Sequence, residues 1–360
     1  MNRRLIFRLL LLAAAALSAA ACHWRDLDYD YIDTAQITII YDWSESGLAT
    51  KAQTTSIVPG DVINGRTAAF YPVDGGAPVI KLSHSDTVKV NLLVGQYRAV
   101  FFNETFDDFD AITFEGIDTF EKLEARLKHD QITRTKGDML ISREPDVLAI
   151  DMLDPFEVTE DMVRFTRYNE SIKSKAAGGS TEIEDEMTVK VTPRSVVRPV
   201  MVDVTIQGID DIASAGAYIT GFADGYDFSE RKPSDEAATH RLTFTERTFF
   251  EGSDTDGKLE GRFQSFGLRP QNGSLSGYEF EFRALLIDGT AYEETRSIND
   301  LITETSADGH LVIKVSIGSG KQGGGSDPPI VIPDVEPVDS GDGWQIDVGD
   351  WEEVVVPIDM

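Results

Sequence analysis

Apolar residues recur at every second position in short runs broken by turn residues, and that period leaves few folds open. Tyr278, Phe280, Phe282, Ala284 and Leu286 fall on one face of such a run, and Asp288-Gly289 follows as a hairpin-turn pair. Val200, Val202, Val204 and Ile206 repeat the pattern, as do Ile37, Ile39, Tyr41 and Trp43, and Leu311, Ile313, Val315 and Ile317. Further strands are expected at Thr67–Tyr71, Val147–Met152, Tyr218–Phe222, Arg241–Phe250 and Gly261–Leu268. Thr87–Leu93 and Gln96–Asn103 are expected to form a hairpin around Val94-Gly95, with Val88, Val90 and Leu92 facing the same way as Tyr97, Ala99 and Phe101. Short strands with turn signals about every ten residues argue for an all-β sandwich repeated twice. The helical spacers of a parallel α/β fold are missing. One short helix is expected in the first sandwich, where Asp118 and Glu121 make a capping pattern and Phe120, Leu123 and Leu127 follow a helical period.

The length of 360 residues fits two domains. The boundaries read as 1–21 signal peptide, 22–34 tether, 35–170 first sandwich, 171–185 linker, 186–318 second sandwich and 319–360 a flexible Gly/Pro/Asp-rich tail. Lys, Ala, Gly and Ser mark the linker. The tail ends in Val354-Val355-Val356-Pro357-Ile358, a β-prone segment suited to adding a strand to a sheet edge in cis or in trans.

The N-terminus is an address. Arg3, Arg4 and Arg8 precede thirteen residues, Leu9 to Ala21, that are Leu and Ala apart from Ser18. That length suits a signal-peptide core and falls short of the ~20 residues that span a bilayer. Ala19-Ala20-Ala21-Cys22 then resembles a bacterial lipobox, with Ala19 where Leu is commoner, and Cys22 is the only Cys of the chain. Cleavage before Cys22 makes it the lipidation site. Three acyl chains at ~0.8 kcal/mol per buried methylene hold a protein on a membrane. The single Cys also excludes intramolecular disulfides and Cys-based zinc sites.

Charge closes off other classes. Lys plus Arg is 33 against 62 Asp plus Glu, a formal −29. Loss of the signal peptide leaves 30 basic residues and a formal −32. No nucleic acid is expected as a partner, because phosphate binding needs a basic stripe. Nor is docking on anionic headgroups through a polybasic face.

Catalytic and cofactor patterns give nothing to assign. No G-x-S-x-G, H-E-x-x-H or phosphate-loop pattern occurs, and His23, His84, His129, His240 and His310 are all more than four residues apart. Each His reads as a surface or hydrogen-bonded residue. Asp254-Thr255-Asp256-Gly257 falls in an EF-hand register only if Gly252 and Phe263 take positions 1 and 12, which excludes it. Asp107, Asp108 and Asp110 read as an acidic solvated loop. No catalytic residue, cofactor or metal is expected.

A resemblance adds to this reading. Cys22 is followed by His23-Trp24-Arg25-Asp26-Leu27, a first strand ending Tyr41-Asp42-Trp43, and Ala69-Phe70-Tyr71-Pro72 with Asp74-Gly75-Gly76. Leu93-Val94-Gly95-Gln96-Tyr97 then leads into Val100-Phe101-Phe102-Asn103-Glu104. This order resembles the FimB/Mfa-type fimbrillin-associated anchor lipoproteins of Bacteroidales, including a branch known only as a domain of unknown function. The resemblance implies two tandem transthyretin-like β-sandwich domains on an outer-membrane lipid anchor at Cys22, exposed at the cell surface. It implies a non-enzymatic role in anchoring or assembling fimbriae, a type V pilus, with fimbrial subunits as partners through β-strand addition. The alternative is a surface glycan-binding lipoprotein of a nutrient-uptake system, which an exposed set of aromatics on one sandwich face would favour.

Overall fold

The computed structural model describes residues 33–47, 65–134, 138–175, 187–271, 273–307, 310–319, 327–337 and 355–357. The signal peptide, Cys22 and most of the tether lie outside them. The described residues are mostly β-strand with one α-helix.

In chain order the first half runs β1 (Thr34–Tyr41), β2 (Arg66–Pro72), β3 (Val79–Ser83), β4 (Thr87–Leu93), β5 (Gly95–Asn103), β6 (Ile112–Glu115), β7 (Glu124–Leu127), β8 (His129–Ile132), β9 (Met139–Ser142), β10 (Ala149–Val158) and α1 (Glu160–Lys175). The second half runs β11 (Thr188–Val191), β12 (Arg194–Ser195), β13 (Arg198–Gln207), β14 (Ile212–Ala223), β15 (Gly225–Asp227), β16 (Lys232–Pro233), β17 (Ala237–Phe249), β18 (Asp256–Ser265), β19 (Glu279–Leu286), β20 (Ala291–Ser297), β21 (Ile302–Ala307), β22 (His310–Ile317), β23 (Ile330–Val331) and β24 (Val355–Pro357).

The first sandwich packs the sheet β11-β1-β4 on the sheet β12-β10-β5-β2-β3. Ile37, Ile39, Val88, Val90 and Leu92 meet Phe70, Tyr97, Ala99 and Phe101 between them. The expected hairpin of β4 and β5 is corrected here. β4 pairs with β1, whereas β5 pairs with β2 and β10. The two strands share an inward apolar face because they oppose each other across the core, and Val94 carries the chain from one sheet to the other. The Tyr97 hydroxyl closes this corner by donating to Leu93 O at 2.9 Å.

The expected helix at Asp118–His129 is also corrected. Phe120–Lys122 is a single 3-10 turn, and β7 follows. Leu123, Ala125 and Leu127 are buried at alternate positions, so the strand period wins over the helical one. Glu121 pairs with Arg98 instead of capping a helix. The α-helix is α1, which opens on Glu160 and Asp161, acids placed favourably at a helix N-terminus. It buries Val163 against the first core, and Thr166 Oγ1 accepts from Gln36 N at 2.9 Å. Residues 171–175 of the expected linker therefore belong to a helix, and 176–186 lie outside the described residues.

The second sandwich is built from β20-β19-β14-β17 and β18-β13-β22-β21. β17 serves both sheets, pairing with β14 through its first half and with β18 through its second. Val200, Val202, Val204, Ile313 and Phe282 fill the core as the alternation requires. Part of the expected tail is packed rather than free. β23 pairs in parallel with β13, and Ile330 and Ile332 are buried in this core. Gly208 at φ 77 lets that segment approach, since a Cβ there would meet Ile332 O at 2.8 Å.

A third core joins the halves. The outer face of the β5 sheet presents Ala69, Tyr71, Val100, Phe102 and Ile150 to β6 and β7 and to Ala223, Tyr226, Phe228 and Phe266. Phe102 stacks on Phe114 at 5.2 Å and meets Phe228 at 6.4 Å. β7 pairs with β15 across the same junction. The sheet that carries β2 and β5 is thus covered on both faces.

Candidate functional site: the β8–β9 hairpin and its outer edge

The hairpin β8–β9 leaves the first half of the chain and packs on the second. β9 meets β17 at Ser142 and His240, and β8 lies outside β9. Ile132 and Ile141 pack with Tyr218, and the Arg134 guanidinium lies 5.1 Å over the Tyr218 ring while it pairs with Glu281. Arg143 grips Asp130 through contacts of 2.8 to 3.1 Å, which stiffens the hairpin across its two strands.

A polar lock lies at the hairpin's base. His129 Nε2 is 3.2 Å from Asp224 Oδ2, and Ser142 Oγ is 3.2 Å from His129 Nδ1. The same hydroxyl is 3.5 Å from Asp224 Oδ1. In a hydrolytic triad the Ser and the carboxylate lie on opposite sides of the imidazole. Here the three groups close a triangle, and Ser142 and Asp224 are buried. The arrangement ties the hairpin to the second half and leaves no geometry for a charge relay. The bond to Asp224 raises the His129 pKa above its ordinary value, against the effect of burial.

Beside the lock is a cavity of about 220 Å³, lined by Asp130, Ile132, Ile141, Ser142, His240 and Phe263 among others. His240 stacks on Phe263 at 4.8 Å, and its buried Nε2 has no hydrogen-bond partner. The expectation of a surface or hydrogen-bonded His fails at this nitrogen. Burial, and secondarily the charge on His129, push the His240 pKa down to about 3. Glu144 borders the cavity too, accepting from Gln264 N at 2.9 Å, and burial pushes its carboxyl up.

The outer edge of β8 is occupied by β24. Val355, Val356 and Pro357 stand opposite Ile132, Gln131 and Asp130 in antiparallel register. The β-prone segment at the end of the chain therefore lies on an edge in cis.

Other sequence candidates fall apart in space or stay bland. Asp107, Asp108 and Asp110 are exposed, and Thr105 Oγ1 caps Asp108 at 2.7 Å. Among the described residues no three His, Cys, Asp or Glu are grouped to hold a metal ion. Trp43 is buried, stacked on Tyr41 at 5.2 Å, with its Nε1 donating to Asp86 at 2.9 Å. It offers no platform for a sugar ring. Trp24, Trp344 and Trp351 lie outside the described residues. The His129–Ser142–Asp224 lock carried no sequence signal, because its members are separated by 13 and 82 positions.

A family model described as a domain of unknown function, DUF5119, matches residues 21–243. The chain belongs to the DUF5119 family. That is the kind of branch the sequence resemblance named. No curated protein matches the chain. Among solved structures, this DUF5119 chain is similar to a candidate adhesin from Bacteroides ovatus ATCC 8483, with 17% identity over 88% of this chain and 97% of that one and a TM-score of 0.50. It also aligns with the fimbrial anchor protein Mfa2 of Porphyromonas gingivalis, at 10% identity, 78% and 95% coverage and a TM-score of 0.40. The tip fimbrial protein Mfa3 of the same organism aligns at 11% identity, 76% and 83% coverage and a TM-score of 0.33. The likeness to the Bacteroides ovatus protein is one of fold.

Proposed function

We propose that this chain is a non-catalytic outer-membrane lipoprotein that anchors or helps assemble fimbriae through strand-mediated contacts with their subunits. Its two halves are taken as transthyretin-like sandwiches. The observation that carries the reading is the shared fold with the Bacteroides ovatus adhesin candidate over nearly the whole of both chains. The lone Cys22 behind a Leu/Ala run, and a sheet edge that already holds one added strand, support it. Attachment is assigned to lipid on Cys22 because that lone Cys directly follows the Leu/Ala run. A mature charge of −32 keeps the protein off anionic headgroups and presents it outward.

Two measurements test this. Cys22→Ala is expected to abolish palmitate labelling and release the protein from the membrane fraction, and undiminished retention would overturn the anchor. The mature chain is expected to capture fimbrial subunits encoded beside it, and to keep them at high salt, because main-chain hydrogen bonds are screened far less than surface charges. Failure to capture any of them would remove the assembly role.

A further inference from the structure

The corner between β4 and β5 is apolar where a connection is ordinarily polar. Leu93 and Val94 are 54% and 49% exposed, and Val73, just past the end of β2, is 44% exposed. Register places the three at one end of the first sandwich. Pro72 stands opposite Tyr97, and Val73 N donates to Gln96 O at 2.8 Å, close to Val94 in the chain. The corner is also stiff. Its two strands are held in different sheets, and the Tyr97 hydroxyl ties Leu93 O. Aliphatic side chains grouped on the surface and rimmed by polar ones mark a contact site. The chain enters the fold at this same end, because Leu93 stands directly opposite Thr34, the first residue of β1. Residues 23–33 separate Thr34 from Cys22. Even fully extended, that stretch spans at most about 40 Å. Whatever Cys22 is fixed to stays within that reach of the corner.

We propose that the Leu93-Val94 corner, with Val73, is a second membrane contact that seats in the headgroup–acyl boundary of the lipid surface to which Cys22 is attached. This rests on the lipid-anchor reading above and adds how the body stands on that surface. One lipid attachment on a tether leaves the body free to swivel. A contact at the strand ends fixes which end of the first sandwich faces the membrane, with β1 and β4 rising from it. Burial of apolar side chains at the boundary drives the contact. Three side chains suffice because the tether holds the surface at a high effective concentration. Charge sets the lipid class. Asp33 beside Thr34, Asp74 beside Val73, and Glu157 opposite Gln96 are exposed at the same end. Anionic headgroups repel these carboxylates, and zwitterionic ones do not. The corner therefore suits a zwitterionic surface.

The full mature chain, residues 22–360, is coupled through its Cys22 thiol to a maleimide lipid in phosphatidylcholine vesicles. Hydrogen exchange is then compared with that of the same chain free in solution. Exchange at residues 73–76 and 93–96 is expected to slow at least ~3-fold on the vesicles. Residues 84–86, at the opposite end of β4, should exchange as before. A chain carrying Leu93→Ser and Val94→Ser couples equally and should show no slowing in either segment. Vesicles made of equal parts phosphatidylcholine and phosphatidylglycerol should protect the native corner less. Unchanged exchange in both segments of the native chain, or equal slowing in the substituted one, would overturn the proposal. Stronger protection on phosphatidylglycerol would assign the contact to charge and overturn it as well. So would slowing that appears in the free chain as its concentration rises, which would assign the corner to a second copy of the chain. Because the coupling is chemical, this result is independent of palmitate labelling, which tests the anchor alone.

Discussion

Truncating Phe282 to Ala is expected to lower the stability of the second sandwich by ~3–5 kcal/mol. The side chain is fully buried in β19, within one core that contains Val204 and Ile313. Its ring meets Phe244 at 6.0 Å and Phe280 and Tyr292 at 6.3 Å each. Removing it takes away both the burial of the ring and the contacts of three aromatic neighbours. β19 is held by ladders to β14 on one side and β20 on the other, so the gap cannot close by backbone collapse. Urea unfolding followed by tryptophan-independent circular dichroism reads the loss. Glu279→Ala, on the exposed side of the same strand, should shift stability by less than ~0.5 kcal/mol. A Phe282 effect as small as the Glu279 one would place the ring toward solvent. Tyr97→Ala is expected to act similarly in the first sandwich, where Tyr97 is buried beside Ile39, Tyr41 and Val90.

Much of the second sandwich was legible because strands such as β13, β19 and β22 have one face in a core, whereas β20, with no residue buried, and β21 were not read as strands. Val200, Val202, Val204 and Ile206 are buried, and the residues between them are half-buried or exposed, so period two carries the register. The Asp288-Gly289 turn follows the same logic and joins β19 to β20. The first half is harder for a physical reason. Its central sheet is covered on both faces, so the face of β5 that carries Tyr97, Ala99 and Phe101 could be read, but nothing in the buried runs of β2 and β5 said that the opposite face meets a second core. Val100 and Phe102 face the inter-half core while Ala99 and Phe101 face the first sandwich. Alternation also reports a face without reporting a partner, which is why β4 and β5 read as a hairpin. At β7 two periods overlapped, since Leu123 and Leu127 fit a helix as well as a strand. Only pairing with β6 and β15 decides between them. The candidate site was invisible for a related reason. The β8–β9 hairpin, β17 and β24 come from distant parts of the sequence, and nothing local says that they meet.

Replacing His240 by Phe is expected to make the protein less sensitive to acid. The buried Nε2 has no partner, and the ring lies between Phe263 and Phe222. Its pKa in the folded protein is pushed down to about 3, first by burial and then by His129. In the unfolded chain a His titrates near 6.5. Between these values the unfolded chain takes up a proton that the folded one refuses. The stabilisation is therefore present above pH ~6.5 and is lost as pH falls, by ~1.4 kcal/mol per unit. From pH 7 to 4.5 that amounts to roughly 2.5–3 kcal/mol from this one residue. His129 works in the other direction. Its pKa is raised by Asp224, so its contribution is complete below ~6.5 and disappears only as pH rises through the raised value. It cannot offset the acid loss, because it changes on the alkaline side. Phe is apolar like the rings around it, and the adjoining cavity gives room for the small increase in size. Stability measured from pH 7 to pH 4.5 should fall less steeply in His240→Phe by that amount, the carboxylates contributing equally to both proteins. Parallel curves would mean that His240 takes up its proton alike in the folded and the unfolded chain, so that burial does not hold its ring neutral.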